Sequence, residues 1–107
     1  MHLVMTDTVR ERLEANYVPA ISDYDPALGV VWFIPREVIK KKTKHGKPYW
    51  IISVIDSNSV LTKFRCWGIV EGKDRIYINR PYMARLDFDP AWGFSTRSIK
   101  HNLRLLG

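Results

Sequence analysis

The sequence predicts an all-β domain, a small five-stranded barrel or sandwich with a short helix near each end of the chain. Five segments are rich in β-branched and aromatic residues, the composition typical of strands. The connections between them are short and carry Gly, Pro, Asn or Ser, and no strand–helix–strand rhythm is present. A chain of 107 residues is long enough for one core, so residues 1–107 are treated as a single domain.

The predicted barrel occupies about residues 28–90. Its five strands cover residues 29–41, 49–56, 60–68, 75–79 and 82–89. Pro35 lies inside the first segment and has no amide hydrogen for a sheet ladder, so this strand is expected to bend there. Gly46 can adopt positive φ and marks the following turn. Asp56 is interpreted as the turn residue that closes the second strand.

Two short helices are predicted outside the barrel. Thr8 and Glu11 fit a capping box, and apolar residues recur there at four-residue spacing, which predicts a helical extension over about residues 7–17. In the tail, Ile99 and two later leucines recur at helical spacing, which predicts a C-terminal helix over about residues 96–106.

Cationic and aromatic residues share the polar faces of the predicted strands. Successive strand residues point to opposite faces, so Phe64 and Cys66 are expected in the core and their neighbours outside it. The outward set comprises Lys63, Arg65 and Trp67 on the third strand, Arg75 and Tyr77 on the fourth, and Arg85 on the fifth. Trp67 has a second interpretation, because a bulge in its strand would turn it into the core. Trp92 and Phe94 either cap the barrel or extend this face, and capping is favoured.

The composition favours a polyanionic partner. The formal net charge is +6, the isoelectric point is about 9.7, and 12% of the residues are aromatic. Such an excess of cations attracts polyanions, although it says nothing of the fold. The single cysteine excludes an intramolecular disulfide. No apolar run is as long as a membrane span, so a cytoplasmic protein without membrane contact is expected.

One stretch, KKKTKHGKPYWIISVIDSNSVLTKFRCWG (residues 40–68), resembles the OB-fold. The resemblance is carried by Lys-x-Lys-x-Gly-Lys-Pro-aromatic, by an alternating strand that ends in Asp, and by a strand that closes with an aromatic residue. It extends more weakly over about residues 29–88. The nearest variant is the OB domain in the C-terminal part of bacterial DNA polymerase III alpha subunits. The resemblance implies a Greek-key barrel with Trp50, Ile52 and Val54 in its core.

The OB-fold resemblance also implies that a single strand of nucleic acid, DNA or RNA, lies across strands two and three. Such binding needs cations for the phosphates and exposed rings for the bases. The candidate binding residues are Lys40, Lys41, Lys42, Lys44, Lys47, Tyr49, Lys63, Arg65, Trp67, Arg75, Tyr77 and Arg85. The competing interpretation is that the lysines only protect the edge of a solvated hairpin.

The resemblance places the domain in DNA replication, as part of a polymerase III alpha-like protein or accessory to it, with other replication proteins as possible partners. An RNA- or tRNA-binding OB domain and a protein-interaction OB domain are the alternatives. A homodimer paired through residues 29–34 is also open.

No catalysis by this domain is expected, because no nucleophile, base and orienting group come together in the sequence. The three histidines and Cys66 lack the spacing of ligand pairs, so neither a metal nor a cofactor is predicted. An enzyme that holds a metal with Asp87 and Asp89 is a third alternative, ranked behind the binding and interaction domains.

Overall fold

A computed structural model describes residues 11, 13 and 18–107. From residue 18 onwards the chain is mostly β, as the sequence predicts, with a 3-10 turn at Ile21–Asp23 and one short helix, α1, at Ile99–Asn102. The strands are β1 (Val30–Lys42), β2 (Pro48–Ile55), β3 (Thr62–Trp67), β4 (Tyr82–Arg85), β5 (Asp87–Asp89), β6 (Gly93–Arg97) and β7 (Leu103–Leu105).

The seven strands form one curled sheet, a half-barrel, in the order β5-β6-β3-β2-β1-β4-β7. The β3–β6 pair is parallel and every other pair is antiparallel. Leu86 alone separates β4 from β5 along the chain, although the two strands lie far apart in the sheet order. The sheet must therefore curl to bring β5 back towards β4.

The first strand is bent, as its proline predicts. The register of β1 against β2 shifts between Pro35 and Glu37, which is a bulge of one residue. Before the bulge, Val30–Phe33 pairs with β4, and beyond it β1 pairs with β2 alone. A single strand thus joins the two halves of the sheet, and its distal half extends into the lysine-rich hairpin.

The main core lies on the concave face of the sheet. Trp50, Ile52 and Val54 are buried in it, as expected, together with Phe64 and Cys66 of β3. A second, smaller cluster joins Trp32 and Ile34 to Leu13 and Ala20, with Val18 and Leu106 packed against it. The alternation of β2 and β3 is confirmed, since every second residue is buried from Trp50 in β2 and from Phe64 in β3, and Ser53 is the one buried residue on their opposite face.

The predicted fourth strand is wrong. Residues 75–79 form no strand, even though their pattern alternates. The Asn79 amide donates to the Pro35 carbonyl at the β1 bulge, and the Tyr77 amide donates to the Tyr82 hydroxyl. Asn79 itself has positive φ. These single contacts fix a loop beside the sheet rather than a ladder within it. The sheet has seven strands where five were predicted, and β6 and β7 lie in segments for which no strand was predicted.

The predicted C-terminal helix is also wrong in extent. Helical structure is confined to Ile99–Asn102, because β6 ends immediately before it and β7 begins immediately after it. β7 pairs with β4, so the tail contributes a strand to the sheet. The predicted N-terminal helix lies almost wholly outside the described residues. Of its positions only Glu11 and Leu13 are described, and both are helical.

Two expectations concern surfaces of the whole domain. The edge of β1 proposed for a dimer is occupied on one side by β4, and the Trp32 amide donates to the Pro19 carbonyl.

Within the described part of the chain, no helix has the length and apolar character needed to cross a bilayer.

Asp56 closes the β2–β3 turn, as predicted, and it also makes a contact that the sequence does not suggest. Its side chain is fully buried. One carboxylate oxygen accepts the Asn58 amide, and the other accepts the Ser22 amide 34 residues away, both at 2.9 Å. The carboxylate therefore ties the segment before β1 to the end of β2.

Candidate nucleic-acid interface

The outer face of β2 and β3, opposite the core, carries a pair of stacked rings. Trp50 lies opposite Cys66 across the two strands, so Tyr49 and Trp67 become neighbours on the other face. Their ring centroids are 4.6 Å apart with an interplanar angle of 23°. Trp67 is partly buried on this face, so the alternative in which it enters the core is wrong. This outer face is defined below by Lys47, Tyr49, Arg65 and Trp67.

Two cations lie against rings on the outer face. The Lys47 Nζ is 5.9 Å from the centroid of the Trp67 ring, within the range of a cation–π contact. The Arg65 guanidinium carbon is 5.9 Å from the Trp92 ring, and its Nη1 donates to the Trp92 carbonyl at 3.2 Å. Positive charge and flat apolar surface are thus interleaved across neighbouring strands, which is the chemistry that a phosphate and a base require.

Trp92 extends this face, which was the less favoured of the two roles that the sequence left open. Its side chain is 73% exposed, so the favoured role as a cap on the core is wrong, whereas Phe94 packs partly buried against the core. Asp89 fixes the turn that carries it, because one carboxylate oxygen accepts the amides of Ala91 and Trp92. The available sequence signal was a tryptophan within the turn-forming stretch Asp89-Pro90-Ala91-Trp92-Gly93.

The tip of the β1–β2 hairpin holds the flanking lysines in a defined turn. Thr43 and Lys47 are joined by two hydrogen bonds, one between main-chain groups and one from the Lys47 amide to the Thr43 hydroxyl. Gly46 has φ near +84°, a conformation that side chains disfavour. Lys44 is exposed at this tip, and Lys41 is exposed on the strand opposite Tyr49.

The lysine run does not form one surface. Lys40 lies opposite Trp50, so it belongs to the concave face, and its Nζ is 5.1 Å from the Trp50 ring. Lys42 shares this side and forms an ion pair with Glu71 at 3.5 Å. Arg75 also lies on this side, in the loop after β3. The predicted set is therefore divided between two faces of one hairpin.

The concave side of the hairpin forms a groove of about 960 Å³, called the hairpin groove below. Its lining residues are Val38, Lys40, Lys41, Lys42, Pro48, Trp50, Glu71, Gly72, Lys73, Asp74, Arg75, Ile76 and Tyr77. Arg75 and Tyr77 were predicted beside the outward residues of β3, but the loop that carries them places them here.

Of the two remaining candidates, Arg85 lies apart from both surfaces and Lys63 lies beside the outer face. Arg85 is on β4, opposite Val30, and lines a smaller cavity of about 320 Å³ with Lys100 and Arg104. It is therefore not part of the outer face. Lys63 is exposed on β3 opposite Ser53, two residues from Arg65 on the same side of the strand.

Asp87 and Asp89 are the acidic pair that the sequence offered as metal ligands. Asp89 is engaged by the amides of its own turn, and in the part of the chain that is described no three His, Cys, Asp or Glu side chains converge. The Asp89 carboxylate thus stabilises the turn that carries Trp92.

Cys66 is buried in the core beneath the outer face. Burial, with a smaller contribution from Asp74, raises the pKa of its thiol to about 12. Because the thiolate is the nucleophile, we expect labelling of native protein by a disulfide reagent at pH 8 to be more than about 100-fold slower than labelling in urea. Equal rates in the two conditions would contradict this placement.

The same raised pKa makes stability depend on pH. The unfolded thiol releases its proton near pH 9, whereas the native thiol holds it to about pH 12. The protonated Cys66 thiol therefore makes its full contribution to the free energy of unfolding below pH 9. This contribution is lost as the pH rises towards 12, with a slope that approaches about 1.4 kcal/mol per pH unit. Urea titrations of the parent and Cys66→Val between pH 8 and 11 measure it. A parallel decline in both would exclude Cys66 as its source, since Tyr82, whose pKa burial also raises, is common to both.

No protein-family model matches this chain, and no curated protein matches it either.

Proposed function

We propose that this domain binds single-stranded nucleic acid through its outer face. The observation that carries the proposal is the stacked Tyr49–Trp67 pair with Lys47 above it. Arg65 and the exposed Trp92 extend the same surface. A rigid sheet holds the rings for base stacking, and flexible lysines at the hairpin tip can follow a phosphate backbone without fixing its sequence.

The strand connectivity supports an OB-type barrel as the framework. β4 and β5 can be counted as one strand interrupted at Leu86. Its first half pairs with β1 and its second half pairs with β6, which lies parallel to β3. That count gives five barrel strands, with β7 as an addition. OB domains bind oligonucleotides on the face of strands two and three between two loops. The corresponding loops here are the hairpin tip, residues 43–47, and the turn that carries Trp92.

The proposal extends to DNA replication as the setting, within or beside a polymerase III alpha-like protein. Its support is the resemblance of residues 40–68 to the OB domain of those subunits. The domain would then contribute single-strand binding, while catalysis and other replication proteins would belong to other parts of the assembly.

Removing an exposed ring tests the proposal with little risk to folding. Trp92→Ala is expected to weaken binding of a labelled 20-nucleotide single strand by about 5-fold or more, because a stacked base contributes about 1–3 kcal/mol. Anisotropy titrations with single-stranded DNA, single-stranded RNA and duplex would measure the loss. Leu61→Ala, which removes another exposed apolar side chain, is the matched control. Equal affinity of Trp92→Ala and parent would argue against the outer face.

The salt dependence tests the lysines separately. Replacing Lys41, Lys44 and Lys47 together by Gln, which leaves Lys42 of the concave side in place, should lower affinity for all sequences alike. For each phosphate that the variant no longer neutralises, the slope of log K against log salt should flatten by about 0.7. Trp92→Ala should leave that slope nearly unchanged. If the triple variant folds normally and binds with the parent's affinity and slope, these lysines only protect the hairpin edge.

A further inference from the structure

The hairpin groove is a second surface of the same hairpin, and it differs from the outer face in its chemistry. One wall is the concave side of β1 and β2, and the other is the loop of residues 71–77. Trp50 and Lys40 face the groove, whereas Tyr49 and Lys41 begin the opposite face, because neighbouring strand residues alternate. Its volume of about 960 Å³ is within the range of small-molecule sites.

The loop presents one exposed ring at this groove. Tyr77 is 41% exposed, and the guanidinium carbons of Arg75 and Arg80 are 5.9 and 5.0 Å from its ring centroid. Its backbone amide donates to the hydroxyl of the buried Tyr82, which fixes the position of the loop at this residue. The ring is thus held in place with part of its surface available for stacking.

The charge of the groove is strongly positive. Four cationic side chains face it, Lys40, Lys42, Lys73 and Arg75, against two acidic ones, Glu71 and Asp74, while Lys41 lines it only from the strand whose side chain points to the opposite face. Asp74 is committed to its own turn, since one carboxylate oxygen accepts the Val70 amide at 2.6 Å. Glu71 is paired with Lys42, but both side chains are more than half exposed, and such pairs contribute little stability. A bound anion can therefore displace Glu71 at low cost.

The remaining lining is apolar. Val38, Pro48, Trp50 and Ile76 supply it, and each is wholly or partly buried. An inorganic anion alone would make no use of this surface or of Tyr77. A ligand that combines an aromatic ring with phosphates would use both, because the apolar side chains and Tyr77 contact the ring while the cations bind phosphate.

We propose that the hairpin groove is a nucleotide site, in which the base stacks on Tyr77 and the phosphates bind Lys42, Lys73 and Arg75. The ligand is either a free nucleotide or one nucleotide unit of a strand, since both present the same base and phosphate. This site is separate from the outer face and does not require the single-strand binding proposed for that face.

The test uses ATP, inorganic tripolyphosphate and a 20-nucleotide single strand as probes, each titrated into the whole chain by calorimetry or anisotropy. Tyr77→Ala is expected to weaken ATP binding by about 5-fold or more and to leave tripolyphosphate binding unchanged, because only ATP carries a base. Lys73→Gln with Arg75→Gln should weaken both. Lys100→Gln, which lies outside both the groove and the outer face, is the control and should bind ATP as the parent does.

The two sources of the nucleotide are distinguished by the strand. If Tyr77→Ala weakens ATP binding alone, the groove takes free nucleotides; if it weakens binding of the strand, with or without ATP, the groove takes a unit of the strand. Unchanged affinity of Tyr77→Ala for both probes overturns the proposal, as does ATP binding that Lys73→Gln with Arg75→Gln leaves intact. Either failure leaves the outer face untouched, since that face is tested by Trp92→Ala on the strand.

Discussion

Replacing Phe33 by alanine is expected to lower the free energy of unfolding by about 3–5 kcal/mol. Phe33 is fully buried at the point where β1 passes between the two halves of the sheet. Its ring centroid is 5.2 Å from that of Phe64 and 6.4 Å from that of Tyr82, so it joins β3 to β4 through the core. Truncation removes apolar contact with both strands and leaves a cavity between them.

Urea unfolding followed by circular dichroism measures this loss. Because small domains have only about 5–15 kcal/mol of stability, Phe33→Ala could be largely unfolded, and Phe33→Leu, expected to cost about 1–2 kcal/mol, provides a second point. Leu61→Ala is the control, since Leu61 is 61% exposed and its loss should stay within about 0.5 kcal/mol. A cost for Phe33→Ala no greater than that of Leu61→Ala would contradict the placement of Phe33 in the core.

The first three strands could be predicted from the sequence because their signals are local. Alternation, a proline at the bulge and a glycine in the hairpin tip each specify a conformation within a few residues. The OB-fold resemblance implies which side of β2 is buried, and the burial of Trp50 and Ile52 confirms it. These elements form the hairpin and the strand beside it, and with them most of the outer face.

The predictions that were wrong concern segments whose structure depends on contacts distant in sequence. Residues 75–79 alternate like a strand, yet a strand also needs a partner edge, and the edge of β3 is taken by β6 in parallel. No local pattern in β6 indicates this pairing, because Gly93 and Ser95 are typical of turns. The tail differs from its prediction for a similar reason: β7 is set by pairing with β4, which overrides the helical spacing of its leucines.

The division of the candidate site follows from the alternation of side chains along a strand. A run of lysines in β1 must contribute to both faces of the hairpin, so this part of the division was predictable. Lys40 faces Trp50 in the groove, while Lys41 lies opposite Tyr49. The contact between Trp92 and Arg65 could not be predicted from the alternation of side chains, because it depends on the pairing of β6 with β3.

Asp56→Ala is expected to lower the free energy of unfolding by about 3 kcal/mol, the second large effect. The buried carboxylate accepts the amides of Ser22 and Asn58, and hydrogen bonds to charged groups contribute about 1.5–3 kcal/mol each. Alanine leaves both donors without this acceptor. Asp56→Asn keeps one acceptor oxygen and should lose about half as much. The Ser22 amide should also exchange its hydrogen faster, because its acceptor is the side chain of residue 56.

Asp25→Ala is the control that separates the effect of burial at Asp56 from the effect of losing a local turn hydrogen bond. Asp25 makes the same local bond, since its carboxylate accepts the amide two residues later, but its side chain is exposed and reaches no distant segment. Its loss is expected to cost less than about 1 kcal/mol, because water can replace the carboxylate. If Asp56→Ala costs no more than Asp25→Ala in urea unfolding, then Asp56 only closes a turn. A cost several-fold larger, with faster exchange at Ser22, shows that Asp56 holds the segment before β1 against the sheet.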